Sequence, residues 1–132
     1  MPRLSAQTTY VAEPNSPHRV LLVVDPQYGE VIELSAAVAR YQADRYPTAA
    51  LTLKAIRLIR KPEQFAVQLT GFASEAEALR YVALLEQRRP DFTREGMLTA
   101  LFPISEPNFA QLYRAQSVAA YVAFARERYR TD

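Results

Sequence analysis

The pattern of hydrophobic and polar positions in the first part of the chain predicts a buried strand followed by an amphipathic helix. Residues 19–25 contain a short, unbroken apolar run at positions 20–24 that is rich in β-branched valine, which is typical of a central strand covered on both faces. Pro26 ends the run because proline cannot donate to a ladder. Residues 30–45 predict a helix that stops before Pro47. Its apolar stripe at helical spacing consists of Val31, Leu34, Val38 and Tyr41.

The middle of the chain predicts a β-hairpin. Residues 51–60 alternate like a strand but lose the alternation near Ala55 and Ile56, which favours a bulge or an edge position. After a turn around Pro62, residues 64–70 alternate apolar and polar side chains with a clean period of two. Because so short a turn joins the two segments, we expect them to pair.

The second half of the chain predicts a helix, a strand and two further helices. Ser74 and Glu77 form a capping box before a helix that runs to about residue 88. Residues 97–102 predict a fourth strand, which Pro103 ends. A short helix capped by Ser105 and a longer one capped by Ser117 follow. The apolar stripe of the last helix consists of Val118, Tyr121, Val122, Ala125 and Tyr129.

The resulting order, β-α-β-β-α-β with two C-terminal helices, is the split βαβ arrangement. It predicts an α+β, ferredoxin-like fold with a four-stranded antiparallel sheet, two helices on one face, and the first and third strands in the middle. The C-terminal helices could cover the other face or extend an edge. Residues 1–17 are polar and contain three prolines, which predicts a flexible arm or linker before a single domain at residues 18–132.

Composition excludes several kinds of site. The 132-residue chain is 49% hydrophobic and has a formal net charge of only +2, which indicates an ordered domain without the clustered charge of a nucleic-acid-binding protein. It has no cysteine and one histidine, His18, so disulfides, thiol catalysis and a multi-histidine metal site within one chain are excluded. No apolar run approaches the roughly 20 residues that cross a bilayer.

Motifs for catalysis are also missing. The sequence has no nucleophile elbow, no glycine-rich phosphate loop and no metal-ligand spacing. His18 has no partner that spacing fixes near it. The loop at residues 25–29 lacks the arginine that ferredoxin-like acyl phosphate hydrolases carry there. We therefore predict a non-catalytic protein without a cofactor.

The segment 65–79 resembles the core signature of SPOR domains, in which a strand with a Val-Gln pair leads through a phenylalanine to a Ser-capped helix. The matching residues are Val67, Gln68, Phe72, Ser74, Glu77 and Ala78. The resemblance implies the split βαβ plan and binding of denuded peptidoglycan strands on an open sheet face. Gln68 and Thr70 are the candidate glycan-binding residues.

A second resemblance covers more of the chain. Its strand-to-helix junction and its tail are similar to those of the C-terminal domain of periplasmic TPR lipoproteins in the type IX secretion and gliding motility machinery. The matching residues are Ile104, Ser105, Asn108, Phe109, Tyr121, Phe124 and Tyr129. This implies an envelope-associated adaptor in the periplasm. Because residues 1–12 lack the apolar core of a signal peptide, we expect an exported form to be part of a longer, lipid-anchored chain.

Three functional hypotheses follow. The preferred one is a protein-binding adaptor domain with envelope protein partners, which uses Arg57 and Arg60 on an edge strand and Tyr121 and Phe124 on the last helix. If that helix packs on the sheet, its aromatic residues are core and the binding surface lies elsewhere. The alternative is a SPOR-type peptidoglycan-binding module. The third is a small-molecule regulatory domain that forms a homodimer through its sheet.

Overall fold

The structure, a computed structural model, describes residues 10–25, 30–45, 51–61, 63–88 and 97–128. Eight elements follow one another in the predicted order. They are β1 (His18–Val24), α1 (Val31–Arg45), β2 (Thr52–Arg60), β3 (Glu63–Phe72), α2 (Glu75–Gln87), β4 (Leu98–Ser105), α3 (Glu106–Ala115) and α4 (Val118–Arg128).

The four strands form one antiparallel sheet in the order β2-β3-β1-β4. β1 and β3 are central, β2 and β3 form the predicted hairpin, and β2 and β4 are the edges. This is the predicted ferredoxin-like α+β arrangement.

The first face of the sheet packs against α1 and α2. Val20, Leu22 and Val24 of β1 point to this face, and the stripes of the two helices meet them there. The predicted stripe residues Leu34, Val38 and Tyr41 of α1 are all buried in this cluster, so the helical periodicity of that segment gave its buried side correctly.

The second face of the sheet is covered by α3 and α4, which decides between the two arrangements that the sequence left open. Leu21 and Val23 of β1 point to this face and pack with Leu112 of α3 and Tyr121 of α4. The Tyr121 hydroxyl donates a hydrogen bond to the Pro103 carbonyl oxygen at 2.7 Å. The C-terminal helices are therefore the second half of the core.

The connection between β4 and the last two helices is set by two local signals. Ser105 caps α3, and its hydroxyl accepts a hydrogen bond from the Asn108 amide at 3.3 Å. At the other end of α3, Gln116 has a left-handed backbone with φ of 57°. This conformation ends α3 and turns the chain into α4.

Two predicted boundaries are wrong. Pro103 does not end β4, which continues to Ser105; β4 is an edge strand that pairs only with β1, and an edge tolerates a proline whose missing N–H faces outward. β3 continues past residue 70 to Phe72 through Gly71. Gly71 has a φ of 119° and is the extra residue in a register shift opposite β1, a conformation that glycine adopts without a steric penalty.

The predicted bulge in β2 is present but lies further along the strand. The register with β3 shifts between Arg57 and Ile59 rather than near Ala55. As a result Leu58 and Ile59 are both buried in the cluster on the second face.

Residues 10–17 contain no helix or strand, but their contacts hold them against the domain; residues 1–9 of the predicted arm lie outside the described residues. The Asn108 side chain bonds both the amide and the carbonyl oxygen of Val11, at 3.1 and 2.8 Å. The Glu75 amide donates to the Pro14 carbonyl oxygen at 3.0 Å. The Tyr10 ring lies edge-on to Tyr121, with centroids 5.1 Å apart. This segment therefore connects the two helical layers.

We predict that Asn108→Ala lowers the free energy of unfolding by about 1–3 kcal/mol, because a buried side chain that satisfies two backbone groups is lost. The loss should appear in urea unfolding, together with faster hydrogen exchange of the Val11 amide. Asn15→Ala, at an exposed position of the same segment, is the control and should change neither. Unchanged exchange at Val11 in Asn108→Ala would contradict the proposed tether.

Tyr10 gives a prediction for alkaline pH. Its hydroxyl is buried and has no hydrogen-bond partner among the described residues, and burial raises the pKa of Tyr10 above its ordinary value. The folded chain then holds this proton more tightly than the unfolded chain. The stability that the group contributes is therefore complete below the ordinary tyrosine pKa of about 10 and is lost as the pH rises through the folded value.

Tyr10→Phe should accordingly be neutral or stabilising by up to about 1 kcal/mol at neutral pH, and should reduce the loss of stability above the ordinary tyrosine pKa. Thermal unfolding as a function of pH measures both effects. Tyr113→Phe, at an exposed tyrosine, is the matched control. An alkaline loss that is equal in wild type and Tyr10→Phe would show that Tyr10 does not cause it.

Candidate functional site

The outer edge of β2 carries several exposed basic side chains. β2 is the last strand at its side of the sheet, so its outward backbone groups have no strand partner among the described residues. Its exposed side chains include Lys54, Arg57 and Arg60. Arg57 contacts Glu63 at 2.9 Å, but both side chains are 53% exposed, and an ion pair of this kind stabilises a fold by at most about 1 kcal/mol.

One stripe of α3 faces this edge. Glu106, Phe109, Tyr113 and the C-cap residue Gln116 recur at helical spacing. The first two contact Arg19 of β1, and the last two contact Arg60 of β2. The side-chain oxygen of Gln116 accepts a hydrogen bond from the Arg60 amide at 2.7 Å. The Arg60 guanidinium lies 5.7 Å from the centre of the Tyr113 ring, within the range of a cation–π contact.

Arg19 fixes the first turn of α3 to the sheet. Its guanidinium donates to both carboxylate oxygens of Glu106 and, at 2.7 Å, to the side-chain oxygen of Gln68. It also lies 3.9 Å from the centre of the Phe109 ring. The Arg19 side chain is only 16% exposed. Its planar guanidinium donates several hydrogen bonds in a fixed geometry that a lysine ammonium cannot reproduce. This network positions α3 across the second face.

Gln68 and Thr70 lie on the covered face rather than on an open one. Gln68 is half-buried and its side-chain oxygen is occupied by Arg19. Thr70 pairs in register with Arg19 on one side and Thr52 on the other. The open, polar sheet face expected for peptidoglycan binding is not found among the described residues, because α3 and α4 pack there.

Tyr121 and Phe124 also differ from the prediction. Tyr121 is fully buried, and its ring packs against Phe102 with centroids 5.0 Å apart. Phe124 is half-buried beside Tyr10 and Tyr121. The prediction of Tyr121 as a partner-binding residue is therefore wrong: α4 lies on the sheet and its inward aromatic residue is core.

The exposed aromatic group of this surface is Tyr113, which the sequence reasoning did not single out. It is 42% exposed, and its ring is nearly parallel to that of Phe109, with centroids 6.3 Å apart. The sequence does contain an indication of this aromatic pair, because Phe109 and Tyr113 are four positions apart on one short helix and so lie on the same side of it. We use the name basic edge for Lys54, Arg57, Arg60 and Tyr113.

Comparisons of the chain with protein-family models, curated proteins and solved structures give no match. In the described parts of the chain, no three His, Cys, Asp or Glu residues are grouped so that they could hold a metal ion. Nor does any helix described there have the length and apolar character to cross a membrane. The basic edge therefore has to be assessed from its own residues.

Arg19→Lys should lower the free energy of unfolding by about 1–2 kcal/mol, because it keeps the charge but loses the fork shared by Glu106 and Gln68. Urea unfolding measures this. The Glu106 side chain is 40% exposed, so solvent screens its ion pair with Arg19 and limits the loss of stability. Arg114→Lys, at an exposed arginine of α3, should have little effect. Equal stability of the two variants would mean that the network does not fix α3.

Proposed function

We propose that this chain is a non-catalytic protein-binding domain that binds an extended, acidic segment of a partner protein along the basic edge. The observation that carries the proposal is the outer side of β2, where backbone groups without a strand partner among the described residues and exposed cations occur together. Gln116 bonds the backbone of Leu58 and Arg60 at the end of this strand, so the part of β2 before Leu58 is open to a partner segment. Strand addition to a sheet edge is a common mode of peptide recognition, with backbone hydrogen bonds for affinity and side chains for specificity.

Charge determines which partner fits. Lys54, Arg57 and Arg60 repel a second copy of the same edge, and such cations are a known device against edge-to-edge aggregation. The same charges attract a segment rich in aspartate or glutamate and speed its association. Within the hairpin, Glu63 offsets only one of them. The edge is therefore suited to an acidic partner and unsuited to self-association.

Tyr113 adds an apolar contact beside these charges. It is the exposed aromatic residue next to Arg60, and tyrosine is enriched where interfaces bury a ring while keeping its hydroxyl wet. A partner strand on β2 would pass close to it. We expect Tyr113 to select for an apolar side chain in the bound segment.

The wider setting rests on the resemblance to the periplasmic TPR lipoproteins of secretion machinery. We propose on that basis an adaptor role in a cell-envelope export complex, with envelope proteins as partners. The resembling residues Ser105, Asn108 and Phe109 act here as cap, tether and support for Arg19. Because these residues hold α3 in position, we propose the basic edge rather than α3 as the contact surface for this role.

The test uses two blocked peptides in which valine alternates with glutamate or with lysine. In a titration followed by NMR, the glutamate peptide should shift the backbone amides of β2 in a saturable way, and added salt should weaken it. The lysine peptide should not bind. Lys54→Glu combined with Arg60→Glu should weaken binding about tenfold or more, which is about 1.4 kcal/mol.

Arg40→Glu combined with Arg80→Glu is the matched control. It makes the same change in net charge at exposed positions of α1 and α2, and should leave binding nearly unchanged. Equal weakening by both double variants would mean that net charge alone attracts the peptide.

Selective sedimentation of the wild-type domain with denuded rather than intact peptidoglycan sacculi would instead favour the glycan-binding alternative.

A further inference from the structure

A shallow cavity of about 520 Å³, widely open to solvent, lies on the second face beside the end of the β2–β3 hairpin. It lies between the end of β2, the beginnings of β3 and β4, and one side of α4 from Val118 to Arg126. Its size falls within the range of roughly 300–1,000 Å³ that is usual for small-molecule sites. Because its walls come from both the sheet and α4, the cavity exists only when α4 is docked.

The walls combine apolar surface with positive charge. Ile59, Val118 and Val122 belong to the apolar part, while Lys61, which follows β2, and Arg126 of α4 supply cations. No aspartate or glutamate is among the described residues that line it. Neither cation takes part in an ion pair within the described residues. Their charge is therefore available to a ligand.

Most other polar groups of the cavity are already occupied. The Gln116 amide bonds the Arg60 amide and the carbonyl oxygens of Leu58 and Tyr113. The Thr99 hydroxyl donates to the Val23 carbonyl oxygen at 3.3 Å. The groups left to recognise a ligand are thus the two cations, the side-chain amide of Gln64 and the hydroxyl of Ser117, which accepts a hydrogen bond from the Ala120 amide but can still donate one.

We propose that this cavity binds a small organic anion: a carboxylate between Lys61 and Arg126, attached to a compact apolar body against Ile59 and Val122. Arginine can bind a carboxylate with two parallel hydrogen bonds, and lysine adds a point charge. The apolar wall makes the organic part necessary, so inorganic anions should bind much more weakly.

The probes are 3-phenylpropionate, its uncharged amide 3-phenylpropanamide, and inorganic phosphate. Each is titrated to millimolar concentration at constant ionic strength and followed by NMR. We expect 3-phenylpropionate to give saturable shifts confined to the amides that line the cavity. The amide and the phosphate should each bind about tenfold more weakly or not at all. Equal binding of the amide would overturn the anion site, and equal binding of phosphate would overturn the organic ligand.

Variants link the binding to the two cations. Lys61→Gln combined with Arg126→Gln should weaken 3-phenylpropionate about tenfold or more, whereas Arg80→Gln with Arg114→Gln should not. All four positions are exposed, so we expect the variants to fold. Unchanged affinity in the first variant, or the absence of localised shifts with every probe in the wild type, would overturn the proposal. The acidic-peptide titration on β2 should be unaffected by the first variant, which separates the two sites.

Discussion

The burial of β1 on both faces is the constraint on which the rest of the structure depends. Every residue from Val20 to Val24 is at most 3% exposed, and successive side chains of a strand point to opposite faces. One layer of helices can cover only half of them. α1 and α2 cover the first half, so α3 and α4 have to cover the second. Leaving Leu21 and Val23 in water would cost about 1.5–3 kcal/mol for each side chain.

The order of the helices and strands could be predicted because it depends on local sequence signals. Contacts between residues far apart in the chain could not be predicted in this way. The apolar run of β1, the Ser74–Glu77 box and the Ser105 cap all act within a few residues, so a pattern can find them. By contrast, Val11 and Asn108 are 97 positions apart. The apolar stripe of α4 would look the same on its own sheet or on a partner, which is why Tyr121 was misassigned.

The candidate site could also be predicted only in part. Arg57 and Arg60 were found from the density of charge, and they are exposed as expected. Gln68 lies on the covered face, where its side-chain oxygen accepts a hydrogen bond from Arg19. The sequence contains no indication of this contact, because Arg19 and Gln68 are 49 positions apart. The helices that close the sheet face also carry Tyr113 outward and complete the cavity beside α4. The binding surfaces that we propose therefore lie at the edge and the end of the sheet rather than in its middle.

The cover on the second face also has a consequence for the synthesis of the chain on the ribosome. β1 is synthesised before its partner β4 and before its cover, α3 and α4. A nascent chain that has reached only Phe72 can form the hairpin and pair it with β1, but Leu21 and Val23 still face solvent. Such a chain carries an apolar sheet face and an unpaired strand edge, the features that attract chaperones and promote aggregation. Completion of this domain therefore waits for the translation of its last helix.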